Sequence, residues 1–86
     1  ISIRSWFRER AMLRRERERE AFYDTLVKAR GLTEADDFRK ARLMWEQVLK
    51  RDPKNIPARV ELSRLFDRQG QTEEALRVLD SARALD

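Results

Sequence analysis

Residues 36–86 read DDFRKARLMWEQVLKRDPKNIPARVELSRLFDRQGQTEEALRVLDSARALD. A shift of 34 residues superimposes the small and apolar positions of this stretch, so that Ala41 meets Ala75, Trp45 meets Leu79, Val48 meets Ala82 and Asp52 meets Asp86. A fixed period of this size is typical of helical repeats, in which each unit buries its apolar face against the next. The stretch therefore predicts an all-α protein built from repeated helix pairs.

The composition of the chain narrows both its fold and its chemistry. Two Gly and two Pro among 86 residues provide few turns, which argues against an all-β fold. The chain has neither Cys nor His, so the usual zinc sites, Ser-His triads and Cys nucleophiles are absent. We therefore expect a protein that is not an enzyme, with no catalytic, cofactor-binding or metal-binding residues and no cofactor.

The positive charge of the chain is concentrated at its N-terminus. Residues 1–19 hold seven Arg and three Glu, a net charge of +4, whereas residues 20–86 hold 13 basic and 13 acidic residues. This asymmetry predicts a basic arm, residues 1–20, ahead of a neutral body, residues 21–86. The basic residues of the arm are Arg4, Arg8, Arg10, Arg14, Arg15, Arg17 and Arg19.

The arm itself has the pattern of a helix. Ser2 or Ser5 can cap its N-terminus. Three Arg–Glu pairs at spacings of three or four residues support it, each worth about 0.2–0.5 kcal/mol, namely Arg14–Glu18, Glu16–Arg19 and Arg17–Glu20. A helix that is this polar is a solvated or partner-docking rod. Nothing between the arm and residues 21–30 breaks the helix, so the two segments are expected to be continuous.

Two further interpretations of the arm stay open. Trp6 and Phe7 followed by an Arg cluster are typical of a membrane-proximal segment, with aromatic rings at the bilayer interface and arginines facing anionic head groups. The Arg row would alternatively contact nucleic acid phosphates. The interleaved glutamates would repel phosphate, and no aromatic stacking platform accompanies them, so nucleic acid is the disfavoured partner.

The first half of the body predicts two helices. Phe22, Leu26 and Ala29 give the first an apolar face, and Gly31 is placed to end it. Thr33 and Asp36 fit a loose capping box, so the second helix is expected to begin near Thr33. The Asp-Pro pair at positions 52 and 53 ends that helix.

The second half of the body predicts two more helices. Pro57 opens the third near its first turn, and Gly70 ends it. Thr72 is the expected N-cap of the fourth, with acidic residues in the following turn. The inner face of the fourth helix is expected to consist of Ala75, Leu76, Leu79 and Ala82.

The body resembles the tetratricopeptide repeat family, with one copy over about residues 21–55 and another over 56–86. The second copy meets the family's pattern of large, aromatic, Gly and small residues with Leu62, Phe66, Gly70, Ala75, Leu79, Ala82 and Leu85-Asp86. The first supplies Leu26, Phe38, Ala41, Trp45, Val48 and Asp52-Pro53. Leu26 aligns with Leu62 at an offset of 36, which predicts two extra residues in the first repeat's turn.

The resemblance implies a protein-binding scaffold that holds a peptide or helix in a groove lined by the first helix of each pair. The residues at groove positions are Asp24, Lys28, Val60, Arg64, Asp67 and Arg68. Two repeats are a small stack, which suggests burial against more repeats, a partner chain or a second copy. Self-association is therefore also an expectation.

The combined layout favours a non-catalytic scaffold or adaptor that docks on a protein complex at a membrane. A basic aromatic arm followed by such repeats is similar to bacterial inner-membrane proteins that help to assemble membrane complexes, and sixteen Arg against four Lys favours a bacterial source. The hypothesis includes an anchoring span ahead of Ile1 and a location on the cytoplasmic side of the membrane. The alternative is a soluble cytoplasmic module that binds one peptide in its groove.

Overall fold

The computed structural model describes residues 2–84, and these residues form four α-helices and no strand. The helices are α1 (Ile3–Glu34), α2 (Phe38–Arg51), α3 (Ile56–Arg68) and α4 (Thr72–Arg83). The predicted all-α class is confirmed. The closing Leu85-Asp86 pair of the second repeat lies outside the described residues.

The four helices pack as two successive hairpins. α1 packs against α2 and α3 against α4, while α2 and α3 join the two hairpins. One core runs through both and contains Ala29, Ala41, Trp45, Val48, Ala58, Leu62, Leu65, Phe66 and Ala75. The two alanines that share the 34-residue period, Ala41 and Ala75, are both buried. Their small side chains let the helices of each hairpin approach closely, as the repeat pattern predicts.

The first helix is far longer than the other three. α1 spans 32 residues, which corresponds to about 48 Å at 1.5 Å per residue. Ser2 caps it by accepting a hydrogen bond from the backbone N–H of Ser5 at 3.2 Å. The molecule measures 59 × 30 × 13 Å because the N-terminal part of α1 extends beyond the body. The expected continuity of arm and body is confirmed, and the expected boundary at residue 20 lies within α1.

The end of α1 differs from the prediction. The helix does not stop at Gly31 but continues to Glu34, and Thr33 lies buried in its last turn. The expected capping box at Thr33 is therefore wrong. Asp37 caps α2 instead, and its Oδ1 accepts a hydrogen bond from the backbone N–H of Lys40 at 3.4 Å. Thr33 shares the buried face of α1 with Ala29, and burial in that face removes it from any capping role.

Both hairpins use the same turn, and left-handed residues explain where α1 and α3 end. Asp36 has φ 56° and Gly70 has φ 75°, and they occupy equivalent positions in the 34-residue period. In both turns the following residue donates its N–H to a carbonyl five residues earlier, from Asp37 to Leu32 and from Gln71 to Phe66. This is the Schellman pattern. Asp36 replaces the Gly because Asp tolerates the left-handed conformation better than most residues.

The expected two-residue insertion in the first turn is wrong. Residues 35–37 and 69–71 separate the paired helices, so both turns contain three residues. The misalignment arose from matching Leu26 to Leu62. At the 34-residue period of the turns, the buried small residues Ala29 and Ser63 correspond, and Leu32 aligns with Phe66.

The fourth helix also departs from its predicted start and inner face. Gln71, not Thr72, is the N-cap of α4. Ala75 and Ala82 are buried as expected, but Leu76 is 55% exposed and Leu79 is 37% exposed. Val78 packs against the core on this side instead. Leu79 was expected on the inner face, and within the described residues no helix follows α4 to cover it.

The two glycines give a first test of this geometry. Gly70→Ala is expected to destabilise the protein by about 1–2 kcal/mol because alanine is strained in the left-handed region. Gly31→Ala is expected to stabilise it by about 0.5–1 kcal/mol because alanine is the better helix former. Neither added Cβ would meet an atom within 4 Å. Urea unfolding should therefore give midpoints that move in opposite directions, and a shared direction would contradict the observed end of α1.

Candidate functional site

The N-terminal end of α1 carries an exposed apolar group, the tip cluster, made of Ile3, Trp6 and Phe7. Trp6 is 45% exposed and Phe7 60% exposed. Their rings meet edge to face with centroids 4.9 Å apart, and the Arg10 guanidinium lies 4.7 Å from the Trp6 centroid. The cation above the indole keeps one face of Trp6 occupied while the rest of the cluster stays in solvent. The structure therefore brings together the two aromatic residues that the sequence singled out.

The arginines of the arm lie on defined faces of α1 and do not form the expected ion pairs. None of the pairs Arg14–Glu18, Glu16–Arg19 and Arg17–Glu20 comes within 4.0 Å, although all six residues are described. Exposed helical ion pairs contribute little, since solvent screens them and holding two long side chains costs entropy. The positive charges of the arm consequently remain available to another molecule.

The groove candidates lie at the surface of the body but are not equally free. Asp24, Lys28, Arg64, Asp67 and Arg68 are exposed and Val60 is half-buried. Arg64 binds Glu61 at 3.2 Å. Arg68 reaches from α3 to the α1–α2 turn, where it binds Asp36 at 3.3 Å and the Thr33 carbonyl at 3.5 Å. Arg68 thus links the two hairpins, a role that the sequence did not predict.

Arg59 is a second residue whose role the sequence did not reveal. Its Nε and Nη2 donate to the Pro53 carbonyl at 3.2 and 2.7 Å, and its Nη1 donates to Ser81 Oγ at 2.8 Å. One guanidinium therefore holds the α2–α3 turn to α4. No local spacing rule connects these three positions, since Arg59 and Ser81 are 22 residues apart.

A cleft of about 350 Å³ lies where the arm leaves the body, and we call it the base cleft. Its walls are Arg15, Glu18, Arg19, Phe22, Arg51 and Asp52. Arg51, the last residue of α2, places its guanidinium 5.8 Å from the centre of the Phe22 ring. The C-terminal end of α2 therefore stands beside the arm at Phe22. The cleft combines three cations with two carboxylates and one aromatic ring, a lining suited to a polar, charged partner.

The paired hairpins and the residue pattern agree with comparison against known families. Residues 32–86 match the family model described as tetratricopeptide repeat. The match covers more than half of the chain, and the chain belongs to the tetratricopeptide repeat family. Searches of curated proteins and of solved structures give no match. Repeats of this family are generally non-catalytic and serve as protein-interaction modules. The arm lies outside the matched residues.

Two further properties concern the part of the chain that the structure describes. Among residues 2–84 no group of three or more Asp or Glu side chains is placed to hold a metal ion. In the same range no helix combines the length and the apolar content needed to cross a bilayer. α1 has the length, but its sequence is rich in charge.

Proposed function

We propose that this protein is a non-catalytic adaptor that docks on a protein complex at the surface of a membrane. In this proposal the repeat body is a protein-interaction module, and the arm attaches the molecule to its site of action. The observation that carries the proposal is the exposed tip cluster at the end of a projecting helix with a net charge of +4 over residues 1–19.

The chemistry of the tip cluster favours the boundary between water and lipid. Tryptophan and other aromatic rings concentrate at this boundary, where an apolar ring can enter the bilayer edge while its polar atoms stay hydrated. Burying one large apolar side chain contributes about 1.5–3 kcal/mol. Because Ile3, Trp6 and Phe7 lie at the far end of α1, they would reach a membrane while the body stands away from it.

The charge of the arm favours an anionic surface over a neutral one. Each Lys or Arg held near an anionic leaflet contributes about 1 kcal/mol, and the attraction fades beyond one Debye length. The cytoplasmic leaflet is the anionic one, so we place the protein on the cytoplasmic side of its membrane. Apolar insertion and charge would act together, since either alone gives weak and reversible attachment.

Binding to lipid vesicles tests the membrane part of the proposal. We expect the 86-residue chain to co-sediment with phosphatidylglycerol vesicles, and the double variant Trp6→Ser, Phe7→Ser to bind about tenfold more weakly because it loses the inserted rings. Vesicles of phosphatidylcholine alone should bind poorly.

A matched control separates the tip cluster from general surface hydrophobicity. Leu43 and Leu76 are also exposed but lie on the body. The double variant Leu43→Ser, Leu76→Ser should bind vesicles as well as the unmodified chain does. Equal loss in both double variants, or no binding of the unmodified chain, would overturn the membrane attachment.

A further inference from the structure

One face of α1 is apolar in the body of the protein and basic in the arm. In the body this face consists of Phe22, Leu26, Ala29 and Thr33, which are buried or pack against the core. An α-helix makes five full turns in 18 residues, so the positions 18 residues earlier lie on the same face. Those positions are Arg4, Arg8, Ala11 and Arg15, and Arg19 continues the same spacing toward Phe22. We call this set the arginine seam; its five residues are Arg4, Arg8, Ala11, Arg15 and Arg19.

The arginine seam begins where α2 stops. α2 covers the apolar half of this face and ends at Arg51, beside Phe22. The base cleft, with Arg15 and Arg19 on one side and Arg51 on the other, marks the junction. All four arginines of the seam are exposed, and Arg4 and Arg8 lie beyond the cleft. From Arg4 to Arg19 the seam extends for about 22 Å, with the end of α2 forming a step at its base.

We propose that the arginine seam binds an acidic α-helix of a partner protein, which lies along α1 in line with α2. The inference rests on the proposed adaptor function and names the partner that the arm would recognise. The seam residues are spaced by three or four positions, and these are the spacings at which one helix packs along another. The small Ala11 lies at the middle of the seam and allows close approach, while the four guanidinium groups would bind carboxylates on the incoming helix.

The distribution of acidic residues in the arm agrees with an acidic partner. At 100° per residue, Glu9, Glu16 and Glu20 lie about 100–140° around α1 from the middle of the seam. Glu18 alone borders the seam, at the base cleft. The seam is therefore a mainly basic face, with one glutamate, Glu18, at its border.

The occupant is a different protein, not a second copy of this chain. α2 has five basic residues and one acidic residue, for a net charge of +4, and α3 has three and two, for +1. α4 has two basic and three acidic residues, for −1. None of the described helices is acidic enough to complement four arginines, and two arms would repel each other.

The shape and lining of the seam also distinguish a helix from the other anionic partners. A flat bilayer laid along the seam would collide with the end of α2 and the 52–55 turn, and Ala11 offers almost no apolar surface to insert. Trp6 lies about 200° around the helix from Arg4 and faces away from the seam, whereas Phe7 lies about 60° from Arg4 and borders it. None of the five seam residues is aromatic, so the seam offers no ring on which a base of single-stranded nucleic acid could stack.

Fluorescence anisotropy with a labelled synthetic peptide tests the proposal. The probe is an acidic helical peptide of about 18 residues, five turns, with glutamates on one face, and its companion has glutamine at the same positions. We expect the full chain to bind the acidic probe and not its companion. The seam variant Arg8→Glu, Arg15→Glu, Arg19→Glu should bind it about tenfold more weakly or worse.

The matched control reverses the same number of arginines on the other side of the same helix. The control variant is Arg10→Glu, Arg14→Glu, Arg17→Glu, and its net charge equals that of the seam variant. If the seam is the site, the control variant should bind the probe less than about threefold more weakly than the unmodified chain does. Equal loss in both triple variants would overturn the proposal, because it would show attraction to net charge alone. Circular dichroism of both variants establishes that the body remains folded.

Three further outcomes decide between this inference and its competitors. A proline-interrupted acidic probe that binds as tightly as the helical one would overturn the helical partner. Loss of RNA or phosphatidylglycerol vesicle binding only in the seam variant, with no peptide binding, would assign the seam to those ligands instead. Trp6→Ser alone should leave peptide binding unchanged because Trp6 faces away from the seam, so failure of membrane attachment and failure of the seam are read from different variants.

Discussion

Trp45→Ala is expected to unfold most of the protein at physiological temperature. Trp45 is only 2% exposed and is the largest fully buried side chain among the described residues. Truncating a buried tryptophan to alanine costs about 3–5 kcal/mol, the lost transfer free energy plus the cavity that remains. Small domains are stable by about 5–15 kcal/mol in total, and a two-hairpin stack of 86 residues belongs at the lower end.

A hydrogen bond adds to the cost of losing Trp45. Its indole Nε1 donates to Thr33 Oγ1 at 2.9 Å, and that hydroxyl donates to the Ala29 carbonyl at 2.7 Å. Without the indole, the buried Thr33 hydroxyl still donates its hydrogen bond to Ala29, but its oxygen no longer accepts one. An unmet buried polar group costs about 1–3 kcal/mol. This chain of two bonds connects α2 to the last turn of α1, so its loss should also loosen the first hairpin.

Trp6→Ala is the matched control for this experiment. It removes the same side chain from the same protein, but Trp6 lies in the arm and is 45% exposed. Thermal unfolding followed by circular dichroism should show a large fall in melting temperature for Trp45→Ala and almost none for Trp6→Ala. A shift below about 5 °C for Trp45→Ala, roughly 1 kcal/mol in a domain of this size, would contradict the buried position of Trp45.

Leu65→Ala is expected to give the next largest loss of stability. Leu65 is 2% exposed and lies in α3 among the core residues that join the two hairpins. Removing a buried leucine side chain costs about 2–5 kcal/mol. Leu76→Ala should cost less than about 1 kcal/mol, because a side chain that is already largely in solvent has little transfer free energy to lose.

This pair of leucines discriminates between the repeat pattern and the structure. The sequence places Leu76 on the inner face of the fourth helix, whereas the structure buries Leu65 of α3 and leaves Leu76 55% exposed. Urea unfolding of the two variants measures the difference directly. Similar losses for both would show that Leu76 is covered in solution, for instance by a second molecule, and the comparison should then be repeated at several protein concentrations.

The repeated architecture could be predicted because its signals are local and periodic. The alanines at 41 and 75 mark the close crossing within each hairpin, and the period that relates them is also the period of the helix ends. Pro57 opens α3 as its fixed φ suggests. These features depend on residue size and spacing alone, and a single sequence records both.

The ends of the helices were harder to predict because competing local signals have similar strength. Gly31 suggested a helix end, but a glycine stops a helix only where the backbone turns left-handed, and in the first hairpin that residue is Asp36. Thr33 resembles an N-cap in sequence. Its hydroxyl is instead used within the core, by Trp45 twelve residues away, and no local rule anticipates a tertiary bond.

The sequence predicted which residue types the candidate site contains, but not which of them lie together on one face of α1. The sequence identified the aromatic and basic residues of the arm, but it also predicted three Arg–Glu ion pairs, none of which comes within 4.0 Å although all six residues are described. On a continuous helix Glu9 lies about 100° around the axis from Arg8, and Glu16 about 100° from Arg15, so neither glutamate belongs to the arginine seam. Bonds such as Arg59 to Ser81 depend on how the hairpins pack, which residue spacing does not encode.

The unbroken α1 has a consequence for how the molecule transmits orientation. Because helical hydrogen bonding continues from Ile3 to Glu34, twisting the arm about its axis must turn the body by the same angle. One residue inserted before Phe22 would swing the body by about 100° relative to the tip and lengthen the separation by about 1.5 Å. The number of residues in the arm therefore sets the rotation of the repeat body about the α1 axis, relative to the tip cluster and to any molecule bound there.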